Sequence, residues 1–197
     1  MAKSNNMRLG KTEIELLQKG IESFSLFEEY TGINPLDNYA YREILQIVEL
    51  ENILPSIQKV PGRTGADAKA VGEGYTNIEL KSSGYEKDPS IDKWPEAMFD
   101  MSKMTSYETL YNWEGFGHSL FCKGRSTPSA SYWISKEHIK KLHPLFDKQI
   151  NNFKKIKESK SSMREAVYLK LSEVLKYINE EDIVFFKEGK QVNEIRR

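Results

Sequence analysis

Apolar side chains return every three or four positions in the first part of the chain. Between residues 12 and 30 this spacing predicts an amphipathic helix. A second helix is predicted over residues 38–50, where apolar side chains recur at similar intervals. The predicted apolar face of the second helix consists of Ile44, Leu45, Val48 and Leu50.

The pattern changes from helical to alternating after residue 55. Residues 76–82 alternate strictly between polar and apolar side chains, which predicts a strand with Ile78 and Leu80 on one face. Just before it, Gly72-Glu73-Gly74 predicts the tight turn of a hairpin. Two further short strands are predicted, at residues 119–123 and 130–134.

From residue 135 to about residue 178 the pattern is helical again, and a short apolar run follows at 183–186. Helices, then a small group of strands, then helices predict an α/β (α+β) fold, with a small mixed β-sheet flanked by helices. No linker divides the sequence, so we expect one domain over residues 1–197. Its expected parts are a helical region at 1–55, a β core at 60–135 and a basic helical region at 136–197.

The composition is that of a folded domain. Of the 197 residues 39% are hydrophobic, and 9 Phe, 10 Tyr and 3 Trp supply a core. No apolar run is long enough to span a membrane, and the first residues show no secretory leader. The single cysteine, Cys122, excludes an internal disulfide and a cysteine-based zinc site. We therefore expect a cytoplasmic protein without a membrane partner.

Charge is balanced overall but unevenly distributed. The chain has 29 basic and 29 acidic residues, yet residues 1–100 carry 11 basic and 17 acidic side chains and residues 101–197 carry 18 and 12. Residues 136–176 alone hold 11 basic and 5 acidic side chains. Such asymmetry indicates either contact with nucleic acid or solvated helix faces.

The strand at 76–82 carries the candidate chemistry. Alternation places Glu79, Lys81 and Ser83 together on a face that we expect to be exposed. The extended segment before the hairpin turn brings Asp67 beside them. Two carboxylates and a lysine are thus expected to converge at one point.

Phosphodiester hydrolysis needs these residue types. Two carboxylates, Asp67 and Glu79, can hold Mg²⁺, for which Mn²⁺ can substitute, and the main-chain carbonyl of Leu80 is a further oxygen ligand. Lys81 can orient the attacking water or place positive charge on the developing oxyanion. The spacing alone leaves a second interpretation open, in which an exposed strand face carries a salt bridge.

Residues 61–68, which read P-G-R-T-G-A-D-A, and the following Glu79-Leu80-Lys81-Ser82 resemble the active-site stretch of a type II restriction endonuclease of the PD-(D/E)xK nuclease superfamily. The close match covers residues 60–83. The resemblance implies a restriction-endonuclease-like core, with Asp67 and Glu79 as metal ligands and Lys81 as the catalytic lysine. It also implies a homodimer that clasps double-stranded DNA and cuts a short palindrome, and a cognate DNA methyltransferase.

Thr64 stands where the relative carries an acidic residue. Glu49 and Glu51, at the end of the second predicted helix, are candidates to approach the metal instead. Two other functions remain open: a DNA repair or junction-resolving nuclease with the same fold, and a non-catalytic DNA-binding domain in which the charged cluster is a salt bridge.

Contacts to DNA and between subunits are expected elsewhere. The long polar segment between residues 84 and 107 is a candidate for reading bases. The first helix can supply a dimer interface, although burial in the monomer core would explain its apolar face as well. The best candidates for DNA contact are Arg63, Lys69, Ser83, Lys123 and Arg125, followed by Lys154, Lys155 and Lys157.

Overall fold

The computed structural model describes residues 11–36, 40–60, 66–84, 90–101, 107–122, 127–159 and 166–193. The chain divides into two compact units, Met1–Tyr41 and Arg42–Arg197. In the first unit, helix α1 spans Lys11–Thr31, which confirms the first predicted helix. Its apolar side chains are largely exposed, among them Leu17 at 60% and Ile21 at 52%.

The second unit contains all the strands that the structure describes. They are β1 (Gln58–Lys59), β2 (Ala68–Ala70), β3 (Tyr75–Gly84), β4 (Ala97–Asp100), β5 (Gly115–Phe121), β6 (Ala130–Ile134), β7 (Ala166–Leu169), β8 (Val184–Lys187) and β9 (Lys190–Val192). The remaining helices are α2 (Ala40–Leu50), α3 (Glu108–Tyr111), α4 (Lys136–Ile139), α5 (His143–Ser159) and α6 (Leu171–Val174).

Seven strands form one sheet in the order β1-β2-β3-β5-β6-β8-β9, and β4 pairs with β7 in a second, two-stranded sheet. Within the large sheet β3 and β5 run parallel, and every other described pair is antiparallel. This mixed sheet with flanking helices confirms the predicted α+β class. Among the described residues, no helix has the length and apolar character needed to cross a bilayer.

The two faces of the large sheet carry separate cores. Ile78 and Leu80 of β3 lie on the same face, as the alternating pattern predicted, and they pack there with residues of α2 such as Ile47. Trp133 of β6 belongs to this face and requires a glycine at position 115 of the neighbouring strand β5, where an added Cβ would lie 2.1 Å from the indole ring. The other face packs against the helices and loops that follow β3, with Phe99, Trp113, Phe116, Tyr132 and Leu142 among its buried side chains.

The buried side of α2 differs from the predicted one. Val48 is 55% exposed, whereas the polar residues Gln46 and Glu49 are 1% and 5% exposed. The amide of Gln46 donates to a main-chain carbonyl of β3, and Glu49 accepts a hydrogen bond from Ser131 of β6. Each hydrogen bond offsets part of the cost of burying these side chains, and Oε1 of each has no hydrogen-bond partner among the described residues.

Two segments hold strands that the pattern did not predict. The stretch expected to be helical up to residue 178 contains β7, and residues 136–197 also supply β8 and β9 to the large sheet. The segment expected to be a polar loop contains β4, the partner of β7, and buries Trp94 and Phe99. Pairing between strands distant in sequence overrides the local preference in both segments.

Candidate active site

A tight turn between β2 and β3 brings Asp67 against the middle of β3. The turn ends at Gly74, whose φ of 78° lies in the left-handed region that favours glycine. The N–H of Asp67 donates to the carbonyl of Ile78 at 3.0 Å, and the N–H of Leu80 donates to Oδ2 of Asp67 at 2.8 Å. The second bond fixes the carboxylate of Asp67 beside the acidic and basic side chains of β3.

Glu79 is the buried acid of this cluster. It is 9% exposed, so the expectation of an exposed strand face is wrong for this residue. The reason is that the face of β3 carrying Glu79 is covered by the core that contains Phe99 and Phe116. Burial raises the pKa of Glu79 to about 7, against the opposing effect of the Lys81 ammonium.

Lys81 places its ammonium between the two carboxylates. Nζ pairs with Oε1 of Glu79 and lies 4.0 Å from Oδ2 of Asp67. It also lies 3.5 Å from the carbonyl oxygen of Leu80 and 5.2 Å from the centroid of the Phe99 ring. Burial lowers the pKa of Lys81, but the two carboxylates outweigh it and the pKa lies above its ordinary value. Lys81 is therefore a cation at neutral pH.

The oxygen donors of this cluster fit a hard divalent cation. Asp67, Glu79 and the carbonyl of Leu80 offer two carboxylates and a main-chain oxygen near one ammonium. Mg²⁺ prefers oxygen ligands, needs only one or two carboxylates and keeps several waters. No group of three or more His, Cys, Asp or Glu side chains within the described ranges is arranged to hold a metal. A divalent cation held by this donor set would need water molecules to complete its coordination.

Helix α2 supports the cluster, which the sequence pattern did not indicate. Nε2 of Gln46 donates to the carbonyl of Lys81 at 2.6 Å. Glu43, which pairs with Lys59, adds a negative charge that raises the pKa of both Glu79 and Lys81. No local signal identifies these polar positions, because their partners come from strands that follow the helix.

Neither alternative acid from the end of α2 joins the cluster. Glu49 lies on the opposite face of the sheet, where it accepts a hydrogen bond from Ser131. Burial raises the pKa of Glu49 to about 7, while the Ser131 hydroxyl acts in the opposite direction. Glu51 is exposed in the turn after the helix. Thr64, the position that prompted both candidates, lies outside the described residues.

The predicted DNA contacts are only partly described. Arg63, Lys123 and Arg125 lie outside the described residues, whereas Lys69 is exposed on β2. Ser83 is half-buried near the end of β3, with Oγ 3.0 Å from Nε2 of His118. His118 itself was not among the predicted site residues.

The basic residues proposed on α5 form a separate group. Lys154 and Lys155 are exposed, and Nζ of Lys154 lies 5.4 Å from the ring centroid of Tyr107. Lys157 belongs to α5, but its side chain is outside the described part of the chain. Lys154 and Lys155 are therefore available to solvent, as both a phosphate-binding surface and a solvated helix face require.

Comparison of the sequence with protein-family models gives no match, and neither does comparison with curated proteins. The function is therefore inferred from the chemistry of the residues around Asp67, Glu79 and Lys81, together with the motif resemblance described above.

Proposed function

We propose that this protein is a Mg²⁺-dependent type II restriction endonuclease that cuts double-stranded DNA. The proposal depends on one observation, the close approach of Asp67, Glu79 and Lys81. Glu79 is buried, and the ammonium of Lys81 lies between the two carboxylates. The resemblance of residues 60–83 to a PD-(D/E)xK active site selects restriction cleavage from the wider class of phosphodiester hydrolysis.

Each group has a defined task in this proposal. Asp67 and Glu79 would hold Mg²⁺ together with the carbonyl of Leu80. When bound, the cation supplies charge neutralisation at the phosphate and lowers the pKa of a water molecule. The ammonium of Lys81 orients the attacking water and offsets negative charge that builds on the phosphate oxygens. The hydrogen bond from the N–H of Leu80 holds the carboxylate of Asp67 in place throughout.

The proposed enzyme acts as a homodimer. One chain supplies one cluster, and a symmetric cut in both strands needs two clusters related by a two-fold axis. Exposed apolar side chains on α1, such as Leu17 and Ile21, support the assignment of this helix to the subunit interface. An enzyme of this kind also implies a cognate DNA methyltransferase that protects the host's own sites.

A plasmid digest tests the proposed function. With Mg²⁺ or Mn²⁺ we expect discrete fragments, and with Ca²⁺ or excess chelator we expect intact plasmid. Nicks confined to branched or damaged DNA would instead identify a repair or junction-resolving nuclease. Cutting that persists in excess chelator would contradict the role assigned to the carboxylates.

The second candidate function is a non-catalytic DNA-binding domain. The ion pair between Lys81 and Glu79 favours this function, since the two side chains satisfy each other's charge without a metal ion. In that case the protein leaves plasmid uncut with every divalent ion, while it still retards duplex DNA in a gel. Substitution of Lys81 by Met would then change stability without changing DNA binding.

A further inference from the structure

A chain of three polar side chains ends beside the proposed active site. Nε1 of Trp94 donates to Nδ1 of His118 at 3.2 Å, and Nε2 of His118 lies 3.0 Å from Oγ of Ser83. Trp94 is 2% exposed and His118 is fully buried, whereas Ser83 is half-buried. The chain therefore runs from the core towards the surface at the end of β3.

The direction of these hydrogen bonds is fixed by the indole. A tryptophan Nε1–H can only donate, so Nδ1 of His118 must accept and carries no proton. The single proton of the neutral ring is then on Nε2, which donates to Oγ of Ser83. Burial lowers the pKa of His118 to about 3, and the charge of Lys81 acts in the same direction. The ring stays neutral at physiological pH.

Packing holds the imidazole in this orientation. The ring of Tyr132 lies edge-on to His118, with centroids 5.8 Å apart, and edge-on to Trp94 at 5.4 Å. A serine oxygen that accepts from a fixed donor directs its own O–H away from that donor. The hydroxyl of Ser83 is thus oriented as a donor in advance of any ligand.

The position of Ser83 indicates what it would meet. It lies two residues beyond Lys81 on the same face of β3, which is about 6.7 Å along the strand. In the parallel register His118 of β5 is paired with Lys81 of β3, and its ring reaches the hydroxyl of Ser83 further along β3. A nucleic-acid strand that presents its scissile phosphate to Lys81 and follows β3 towards its C-terminal end would pass this hydroxyl.

We propose that Trp94 and His118 are positioning residues that aim the Ser83 hydroxyl at a non-bridging oxygen of the phosphate next to the scissile one. This inference rests on the proposed function, because it needs DNA at the Asp67, Glu79 and Lys81 cluster. The inferred contact is a hydrogen bond from an uncharged hydroxyl to a phosphate, and Trp94 and His118 in the core set its direction.

The first test measures the affinity of Ser83→Ala in Ca²⁺ for two short duplexes, one containing the site mapped by plasmid digestion and one unrelated. We expect about tenfold weaker binding to both, since a hydrogen bond to a charged group is lost. The slope of log affinity against log salt stays unchanged, because a serine releases no counterion. Ser82→Ala, on the opposite face of the same strand, is the matched control and binds as wild type.

A loss confined to the cut-site duplex would assign Ser83 to a base edge and overturn the phosphate contact. Equal binding by the Ser83→Ala and Ser82→Ala proteins would overturn the inference while leaving the proposed function standing. A wild-type protein that binds neither duplex and cuts no plasmid would overturn both.

The second test addresses the positioning role of His118. His118→Gln keeps an N–H donor towards Ser83 and should retain most of the affinity, whereas His118→Leu should weaken binding as much as Ser83→Ala does. The double variant Ser83→Ala/His118→Leu should bind no more weakly than Ser83→Ala alone, because the two side chains act as one unit. Additive losses would show that His118 acts independently of the hydroxyl.

The third test needs neither DNA nor a folded His118 variant. In ¹⁵N-labelled wild-type protein, the ring nitrogens of His118 should show a protonated Nε2 and a bare Nδ1, unchanged between about pH 5 and pH 8. Trp94→Phe removes the N–H that selects this tautomer and should shift the Nδ1 resonance. A proton on Nδ1 in the wild type would overturn the inferred direction of the chain.

Discussion

Two buried glutamates lie on opposite faces of the large sheet, and their surroundings differ. Glu79 is 9% exposed and Glu49 is 5% exposed, and burial raises the pKa of each to about 7. Glu79 contacts the ammonium of Lys81 near Asp67. Glu49 accepts one hydrogen bond from Ser131, and its Oε1 has no hydrogen-bond partner among the described residues.

The comparison shows that a raised pKa reports burial and does not by itself report function. Both acids are withdrawn from water, but only Glu79 has a cation and a second carboxylate beside it. That cluster is also partly open, since the side chains of Lys81 and Asp67 are 29% and 23% exposed. Within the described part of the chain, the pKa of Glu49 is shifted by burial and the Ser131 hydroxyl and by no charged side chain.

The largest expected difference between the two glutamates is in cleavage. Glu79→Gln should reduce the rate of plasmid cutting on the order of 10³-fold or more, because a metal ligand is lost from groups that act as one unit. Glu49→Gln makes the same chemical change on the other face and should cut at the wild-type rate. The rates are compared in Mg²⁺ after both proteins are shown to be folded by circular dichroism.

Binding provides the control for this pair. Both variants should retain affinity for duplex DNA in Ca²⁺, since contacts that position the duplex lie elsewhere. If Glu49→Gln lost as much cleavage as Glu79→Gln, the separation of the two faces into a site and a core would be wrong. Asp67→Ala and Lys81→Ala should behave like Glu79→Gln.

The next effect in size is the pH dependence of stability. Glu49 keeps its proton in the folded state up to a pKa of about 7, whereas its ordinary value is 4.5. Between these values the folded state binds more protons than the unfolded state, so the free energy of unfolding falls as pH rises. The shift corresponds to about 3 kcal/mol lost by pH 8.

Glu49→Gln has no such proton to lose and should be the more stable protein at alkaline pH. Urea unfolding of the wild type and this variant at about pH 4 and about pH 8 measures the difference. The free energies of unfolding of the two proteins should be similar at about pH 4 and should differ at about pH 8. A constant difference at both pH values would show that Glu49 is not protonated in the folded protein.

The smallest predicted effect concerns the hydroxyl opposite Glu49. Ser131→Ala removes the group that lowers the pKa of this acid and should destabilise the protein by about 1–3 kcal/mol at alkaline pH. In the Glu49→Gln background, where no charge forms, the same substitution should cost less. Thermal melts at about pH 8 of the wild type, the two single variants and the double variant measure this coupling as a double-mutant cycle. An equal cost of Ser131→Ala in both backgrounds would contradict the prediction.

The candidate site was predictable from sequence because its geometry is local. Strict alternation from Thr76 to Ser82 fixed which side chains share a face, and a glycine turn placed Asp67 at hairpin distance. The bond from the N–H of Leu80 to Asp67 joins residues only 13 positions apart. Patterns of this length are visible in a single sequence.

The polar contacts on the other face were not predictable, because their partners are distant in the sequence. A hydrophobic pattern assigns polar residues to the solvent side, whereas Gln46 and Glu49 are buried. Their partners are the carbonyl of Lys81, 35 residues on, and Ser131, 82 residues on. The pairing of β4 with β7 was missed for the same reason, since each strand is short and meets a distant partner.

The parallel pairing of β3 with β5 has a consequence for the order of folding. Residues 85–114 must close a loop before these two strands can meet, whereas the β2–β3 hairpin closes over a few residues. Local contacts form faster than distant ones, because less chain entropy is lost on closure. Asp67 and Glu79 should therefore come together early in folding, and the contact between Glu49 and Ser131 should form late. The nascent chain would carry its assembled charged cluster before the rest of the sheet exists to shield it.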